Sequence, residues 1–399
     1  MGPVISLAAI VTDARYRMSL AVIRSLGRAG IQVTAAEDNN TPREAILGFA
    51  SRYATRQALL PPAGKDPDAF IAALLALSPS HEVLIPITLK TILAVADHYT
   101  EVSRKLGVAV ASPESLRTAN DTQKLLSLAE AVGVPIPKTT TIKPGEDLQT
   151  LANRLTFPLV VKYRAGEELN LPPQKRYAII PDRRTFLGTF PEMHARQPFP
   201  LIQEYVPGRG FGTSVIFDRR RRPVAIFQHR RLREYPVTGG PSCLCESVIE
   251  PRAAEYAVRL LKELEWYGVA MVEFKQDAEG EFRLMEINPR FWGSLPLAPA
   301  AGVDFPFILY RVARGEDVTP VTTYRTGVRM RYLFQDLFSV PGYLRRNENK
   351  LGFLVNFARD LLDREIVDGV FARDDPGPGR LYLKRSLMRF LSRSEKNAL

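Results

Sequence analysis

The chain has 399 residues, of which 45% are hydrophobic, 24% charged and 9% aromatic. This composition excludes a disordered or fibrous chain and predicts two or three domains, while Cys243, Cys245 and four scattered histidines exclude a disulfide framework and a His- or Cys-rich metal centre. Lys and Arg outnumber Asp and Glu by 54 to 43, and nucleic acid, a membrane surface or an anionic small substrate would each explain the net charge of +11.

The first part of the chain alternates strand and helix patterns. Residues 4–11 are short, apolar and β-branched, residues 18–29 repeat apolar side chains at helical spacing, and residues 31–35 read as a second strand. The same patterns predict a helix over 70–77, a strand over 83–87 and a helix over 92–106. Such alternation is typical of a wound parallel α/β domain, which we place at about 1–112. Without a convincing signal peptide or spanning segment, the expected location is cytoplasmic.

The middle of the chain has a different pattern. A helix over 118–132 leads to a strand that ends in Lys162, and a further strand over 201–205 ends at Pro207 and Gly208. Two hairpins, 215–227 and 269–287, enclose a helix over 252–264. Antiparallel pairs of this kind predict an α+β region.

The pattern weakens from about residue 321, and the last twenty residues carry six basic side chains against Glu395 alone. An apolar helical face is formed by Leu383, Leu387, Phe390 and Leu391. Two interpretations stay open: peripheral contact of 380–399 with an anionic membrane, or a terminal helix packed on its own domain with a solvated basic side. The basic clusters lack the interleaved aromatic residues of a nucleic-acid site, so no nucleic-acid partner is expected.

The second hairpin carries opposed acidic residues. A turn centred between Glu279 and Gly280 pairs Glu273 with Glu286 and places Asn288 on the same face. Opposed like charges destabilise a strand pair, so a cation is expected between them. Oxygen ligands of this kind suit Mg²⁺, with Mn²⁺ as the second choice. The alternative is a solvated polar face neutralised by nearby basic side chains, which the apolar flanks disfavour.

The hairpin sequence Glu-Ile-Asn-Pro-Arg-Phe-Trp-Gly-Ser, residues 286–294, resembles the metal-binding signature of the ATP-grasp superfamily, specifically its carboxylate–amine (or thiol) ligases. The resemblance implies that Glu273, Glu286 and Asn288 bind Mg²⁺ and that Arg290 contacts phosphate or an acyl-phosphate. It covers about 113–310. It also implies that Lys162 contacts the ATP phosphates and that adenine lies against Gln203, Glu204, Tyr205 and Val206.

A lid segment over 228–242 resembles that of the same ligases. Arg231 and Arg233 alternate along one predicted strand, which suits bidentate capture of a carboxylate or phosphate, and we expect both to be catalytic. Gly239 and Gly240 are expected to bring backbone amides to an anion.

Two positions depart from the family pattern. Family members often carry Asp-Lys where this chain has Asp121-Thr122, with Lys124 as the nearest candidate for the phosphate contact. Many members also carry a ribose-binding carboxylate shortly after the hinge glycine, whereas residues 208–212 of this chain are Gly-Arg-Gly-Phe-Gly and contain no acid. These departures motivate an alternative, a non-catalytic nucleotide-binding sensor or regulatory protein of the same fold.

The resemblance implies a pre-ATP-grasp α/β domain over 1–112, a two-lobed ATP-grasp domain over 113–320 and a basic C-terminal extension over 321–399. The lobes are expected at about 113–200 and 201–320. The implied activity is ATP- and Mg²⁺-dependent joining of a carboxylate, activated as an acyl-phosphate, to an amine of the amino-acid or small-peptide type. A homodimer is a family expectation.

Overall fold

A computed structural model describes residues 7–166, 169, 171, 175–237 and 239–396, with side chains up to residue 388. Its strands form three sheets, one in each of the N-terminal domain, a small lobe and a large lobe. No helix in the described ranges has the length and apolar character needed to cross a bilayer.

The N-terminal sheet is parallel and has the order β3-β2-β1-β4, which confirms the wound α/β prediction. Its strands are β1 (Ala8–Val11), β2 (Gln32–Asp38), β3 (Ala54–Leu60) and β4 (Val83–Ile85). Its helices are α1 (Arg17–Arg28), α2 (Pro67–Ala76), α3 (Leu89–Asp97) and α4 (Tyr99–Ser103), with short 3₁₀ turns at Arg43–Ala45, Leu47–Ala50 and Ser78–Ser80. The sequence patterns missed β3, because four of its seven residues are exposed.

The second segment begins with two helices instead of the single helix predicted over 118–132. Asp121 separates them, because its side chain caps the second helix by accepting hydrogen bonds from the amides of Gln123 and Lys124 at 2.9 and 3.1 Å. The helices are α5 (Pro113–Asn120), α6 (Thr122–Ala131), α7 (Leu148–Asn153) and α8 (Arg183–Arg196).

The small-lobe sheet is antiparallel in the order β5-β8-β6-β7. Its strands are β5 (Thr139–Thr140), β6 (Leu159–Lys162), β7 (Tyr177–Ile180) and β8 (Leu201–Glu204). The sequence placed residue 201 at the start of the large lobe, but the hydrogen bonds of β8 to β5 and β6 put it in the small-lobe sheet.

The large-lobe sheet has seven strands in the order β13-β12-β9-β10-β11-β14-β15. Its strands are β9 (Arg209–Phe217), β10 (Pro223–Glu234), β11 (Ser242–Ser247), β12 (Gly268–Gln276), β13 (Phe282–Asn288), β14 (Arg329–Arg331) and β15 (Val367–Asp368). The helices are α9 (Pro251–Glu263), α10 (Leu297–Ala301), α11 (Phe305–Ala313), α12 (Leu333–Arg346), α13 (Lys350–Leu362) and α14 (Pro376–Lys396). Both predicted hairpins are present, as β9–β10 and β12–β13.

The segment over 321–399 adds two strands to the large-lobe sheet, since β14 pairs with β11 and β15 with β14. Its last helix returns to the N-terminal domain, where Arg385 donates a hydrogen bond to the carbonyl of Ala45 at 2.6 Å. In α14, Leu383 and Leu387 are exposed, while the side chains of Phe390 and Leu391 lie outside the described part. The two interpretations of 380–399 therefore stay predictions.

The hydrophobic core divides in a way that positions the site. The N-terminal domain and the large lobe share two clusters of buried residues, and strands such as β1 and β12 contribute side chains to both. The small lobe has its own cluster, built around Leu159, Val161, Phe186 and Ile202. The cleft between the lobes is thus bounded by two separately packed units.

Candidate active site

The hairpin β12–β13 carries the acidic pair that the sequence predicted. Glu273 lies directly opposite Glu286, and Asn288 follows two residues later, opposite Met271. The predicted uniform register is interrupted between Glu273 and Phe274, where β13 contains one extra residue, Met285. The bulge shifts the pairing between it and the turn by one residue but preserves the Glu273–Glu286 pair.

Both carboxylates converge on one amide. Asn288 Nδ2 donates hydrogen bonds to Glu273 Oε1 at 3.0 Å and to Glu286 Oε1 at 3.1 Å. The two acidic oxygens therefore lie within hydrogen-bond reach of a single atom. In the part of the chain with assigned structure, no group of three His, Cys, Asp or Glu side chains forms a metal cluster. The donor set here is two carboxylates and one amide, which is oxygen-rich and hard.

A guanidinium group lies against this pair, as the opposed charges require. Arg231 of β10 forms a short ion pair with Glu273 Oε2 and a longer one, 3.5 Å, with Glu234 Oε1. Burial would lower the pKa of Arg231, but the carboxylates of Glu273, Glu234 and Glu286 outweigh it and raise that pKa. Burial raises the pKa of Glu273, the Arg231 charge opposes this shift, and the Glu286 charge adds to it.

Lys162 reaches the same hairpin from the small lobe. Its ammonium, at the end of β6, donates a hydrogen bond to the carbonyl of Met285 at 3.3 Å, the residue that forms the bulge. Burial lowers the pKa of Lys162 to about 8, and the charge of Glu286 opposes the shift. The structure thus brings the predicted phosphate-binding lysine to the predicted metal ligands.

Three glycines allow close packing around these side chains. A Cβ at Gly208, where φ is +145°, would collide with the carbonyl oxygen of Gln276. A Cβ at Gly210 would lie 2.7 Å from Cδ of Arg231, and one at Gly212 would collide with the His229 ring. Gly210 and Gly212, in the segment that lacks the family's ribose-binding acid, therefore leave the space that Arg231 and His229 occupy.

The predicted adenine segment lies at the end of β8. Gln203 is buried and donates to Thr139 Oγ1 at 2.9 Å, and the amide of Glu204 donates to the Lys138 carbonyl at 2.9 Å. Tyr205 and Val206 follow the end of the strand, with Tyr205 exposed and Val206 buried. The amide of Glu204 is already used within the sheet, so a base edge would meet the residues after it.

Arg233 is not part of this arrangement. Its guanidinium donates to both oxygens of Asp336, at 2.6 and 2.8 Å, and to Asp360 at 2.6 Å. The register of β10 against β11 shifts on both sides of Arg233, so the predicted alternation of Arg231 and Arg233 on one face fails. Arg233 joins β10 to helices α12 and α13.

The loop over 235–241 differs from the predicted anion-binding loop. The amides of Gly239 and Gly240 donate to the carbonyl of Pro236, at 3.3 and 2.8 Å. Their carbonyls face the site instead, where Gly240 accepts from Arg231 at 3.4 Å and Gly239 from the Tyr177 hydroxyl at 2.7 Å. The loop bridges the large lobe to the small lobe through carbonyl groups.

The two remaining predicted residues lie at different places. Arg290 lies two residues after Asn288, the last residue of β13, and is partly buried, donating to the carbonyl of Phe291 at 3.1 Å. Lys124 is exposed in the first turn of α6. The amide of Thr122, two residues before it, donates to the Arg164 carbonyl at 2.9 Å, which ties this turn to the end of β6.

Sequence reasoning missed three side chains of the site. Glu234 contacts Arg231, and burial together with the charge of Glu234 raises the pKa of Tyr177. His229 pairs across the sheet with Gly212, which in turn pairs with Glu273, the partner of Glu286. Burial lowers the pKa of His229 to about 3. Its Nε2 lies 3.0 Å from Ser294 Oγ, while Nδ1 has no partner among the described residues. Of these three residues, only His229 could have been found from the sequence. It lies two residues from Arg231 on β10, and alternation along a strand places both side chains on one face.

Comparisons with known proteins agree with this geometry. Residues 198–335, about a third of the chain, match a family described as "ATP-grasp in the biosynthetic pathway with Ter operon". The chain contains an ATP-grasp domain. The matched range holds β9 to β14 and therefore Arg231, Glu273, Glu286 and Asn288, so the predicted resemblance is confirmed.

The ATP-grasp domain is similar to ligases by sequence and by structure. The D-alanine–D-alanine ligase of Stutzerimonas stutzeri is 24% identical over 200 residues, which are 47% of this chain and 62% of that ligase, so the similarity spans less than two thirds of its length. N5-carboxyaminoimidazole synthetase from Staphylococcus aureus, complexed with ADP, superposes with a TM-score of 0.63 at 12% identity, over 81% of this chain and 80% of that one. The biotin carboxylase domain dimer of Hydrogenobacter thermophilus 2-oxoglutarate carboxylase, solved with MgADP, ADP and bicarbonate, gives 0.61 at 15% identity, over 81% and 73%. At these identities the structural likeness establishes the fold.

Proposed function

We propose that this protein is an ATP- and Mg²⁺-dependent ligase that activates a small carboxylate as an acyl-phosphate and joins it to an amine. The observation that carries the proposal is the convergence of Glu273, Glu286 and Asn288 on one face of the hairpin, with Lys162 of the opposite lobe 3.3 Å from the adjoining carbonyl. The relatives that bind ADP or MgADP, or that join amino acids by name, support the same class of reaction.

Nucleotide binding follows from the cleft. The adenine base would lie against the segment from Gln203 to Val206 with its edge at Tyr205 and Val206, since the Glu204 amide is used within the sheet, and the Lys162 ammonium would contact the phosphates. The low pKa of Lys162 in the protein alone rises when phosphate charge is added, because an anion favours the protonated amine. We assign the contact with the transferred phosphoryl group to Arg290, two residues after Asn288.

The metal ligands fit a hard divalent cation. Glu273 and Glu286 face each other, and of the two only Glu273 has an ion pair among the described residues, with Arg231. Glu286 is therefore left available to a divalent cation, although the charge of Lys162 also acts on it. Mg²⁺ held by Glu273, Glu286 and Asn288 would neutralise charge on the phosphates. Asn288 now directs its Nδ2 at both carboxylates, so its amide would turn to present Oδ1 at the same point when it ligates the cation.

The reaction has two steps in which atoms balance. A carboxylate oxygen of the substrate attacks the γ-phosphorus of ATP, forming the acyl-phosphate and releasing ADP. The amine nitrogen then attacks the acyl carbon, phosphate leaves, and the amide nitrogen loses a proton to phosphate or water. Lys162 and Arg290 stabilise charge on the transferred group, which is the main requirement of phosphoryl transfer. Arg231 remains the guanidinium placed to hold a carboxylate beside it.

We propose amino acids or small peptides as substrates and a homodimer as the assembly. Phosphate release from ATP, measured with mixtures of amino acids as carboxylate and amine donors, tests the activity. Glu286→Gln should abolish release, whereas Glu279→Gln, in the exposed turn of the same hairpin, should leave it unchanged. Equal activity of wild type and Glu286→Gln would contradict the metal assignment.

One observation favours the non-catalytic alternative. Lys124 is exposed at the position nearest to the family's phosphate-binding lysine. A sensor would bind nucleotide with Mg²⁺ dependence but release no phosphate with any donor pair, and this combination of results distinguishes the two functions.

A further inference from the structure

The C-terminal helices leave an unusual surface exposed. Most of the large apolar side chains that are exposed in the described part of the chain lie between residues 337 and 388. Within this segment, Leu351 and Leu362 are 73% and 80% exposed. Apolar residues concentrated in this way mark a contact surface, whereas single exposed ones need no explanation.

The exposed apolar residues form a continuous stripe on α13. At 100° per residue, one face of the helix carries what we call the α13 stripe, which consists of Leu351, Leu354, Val355, Ala358, Leu361 and Leu362. The opposite face packs on the protein, where Phe353 stacks on Tyr343 of α12 with ring centroids 5.5 Å apart and Phe357 lies under Arg233. The helix α13 therefore directs apolar side chains both toward the protein interior and toward solvent.

The charges around the stripe have one predominant sign. Lys350 and Arg359 flank its two edges. The exposed basic side chains between residues 345 and 365 are Arg345, Arg346, Lys350, Arg359 and Arg364. The exposed acidic ones in the same range are Glu348 and Glu365, whereas Asp360 and Asp363 face inward to Arg233 and Arg329.

We propose that the α13 stripe docks this protein on an anionic membrane surface. An apolar helical face bordered by basic residues lies in the interface of a bilayer, with its leucines among the acyl chains and its cations near the headgroups. A second copy of the chain fits less well, because a twofold contact through this face would bring the basic residues of both copies together. The proposal concerns α13 and does not depend on the ligase reaction.

The position of α13 relates this surface to the cleft. Tyr343, which stacks on Phe353, also accepts through its hydroxyl oxygen a hydrogen bond from the amide of Glu234 at 2.9 Å. Arg346 donates to the carbonyl of Val237 in the loop over 235–241 at 2.7 Å. Docking through α13 would therefore place the bridging loop near the membrane surface.

Vesicle flotation of the full chain tests the proposal. Wild type should bind vesicles of phosphatidylcholine mixed with phosphatidylglycerol. The variant Leu351→Gln/Leu362→Gln should lower the partition coefficient about tenfold or more, since two leucines leave the acyl region. The control Leu59→Gln/Ile249→Gln removes two exposed apolar residues elsewhere and should bind as wild type does.

A second variant separates the electrostatic contribution. Lys350→Gln/Arg359→Gln should lower binding to the mixed vesicles about tenfold or more, because each basic residue near an anionic leaflet contributes roughly a factor of five. It should leave the weak binding to pure phosphatidylcholine unchanged. The proposal is overturned if wild type does not bind the mixed vesicles, if the leucine variant binds them equally well, or if the leucine substitutions instead abolish a dimer seen by sedimentation velocity.

Discussion

Arg231 and Arg233 are two residues apart on β10, yet each belongs to a different cluster of charged side chains. Arg233 and Arg329 share Asp336, Asp360 and Asp363, and Asp336 is held through both of its oxygens. Arg231 is the guanidinium facing Glu273, Glu234 and Glu286, and the last of these is bonded to a neutral amide. The Arg231 cluster is not short of positive charge, because Lys162 faces Glu286 and Lys275 faces Glu234. The Arg233 cluster is closed, since its two arginines form ion pairs with all three aspartates, whereas the Arg231 cluster is open to the cleft and Glu286 has no ion pair among the described residues. A carboxylate without a direct cationic partner, more than the presence of a buried arginine, distinguishes a binding site from a structural ion-pair cluster.

The largest effects are expected when each arginine is removed in turn. Arg233→Met should destabilise the protein by about 3–5 kcal/mol, because Asp336 is left buried without its partner. Arg231→Met should cost less in the presence of Mg²⁺ than in EDTA, since the cation can replace the lost charge beside Glu273. Chemical denaturation of both variants, each with Mg²⁺ and with EDTA, measures this. A loss for Arg231→Met that Mg²⁺ does not reduce would remove the distinction between the clusters.

Lys162 gives a prediction with a defined pH. Its pKa of about 8 lies below the ordinary lysine value, so the ammonium is present below that pH and is lost as the pH rises through it. The kcat/KM for Mg·ATP should therefore decline above about pH 8. Lys162→Arg keeps its charge over the same range and should lack the decline. The same alkaline decline in both proteins would show that another group controls it.

The smallest effect is expected at Lys124. Its side chain is exposed, so Lys124→Ala should change the Mg·ATP dissociation constant by less than about threefold, within the range of surface substitutions. Calorimetric titration of the variant beside wild type measures this change. A loss of tenfold or more would mean that Lys124 contacts phosphate when nucleotide binds.

The site was predictable where local pattern determines geometry. Alternation along β12 and β13 was enough to oppose Glu273 and Glu286 and to place Asn288 beside them. The bulge at Met285 was not predictable, because one extra residue in a strand leaves the residue types unchanged. The position of Arg233 was not predictable for a similar reason. Two register shifts in the pairing of β10 with β11 determine the face of the sheet on which its side chain lies.

The fold of the C-terminal segment was not predictable, because it depends on contacts between residues that are far apart in the chain. The strand β14 pairs Met330 with Cys245, and α12 supplies Asp336 to Arg233, so each contact joins residues far apart in the chain. No periodicity within 321–399 encodes those partners, and the segment therefore looked weakly patterned. The parallel N-terminal sheet was easier, since its buried strands are continuous apolar runs.

The proposed ligase requires that Glu273, Glu286 and Asn288 bind Mg²⁺ together with nucleotide. Calorimetric titration with a non-hydrolysable ATP analogue, in Mg²⁺ and in EDTA, tests it most directly for wild type, Glu286→Gln and Glu279→Gln. We predict Mg²⁺-dependent binding to wild type and Glu279→Gln that is lost in Glu286→Gln. Binding that is equally strong in EDTA, or that survives in Glu286→Gln, would contradict the claim.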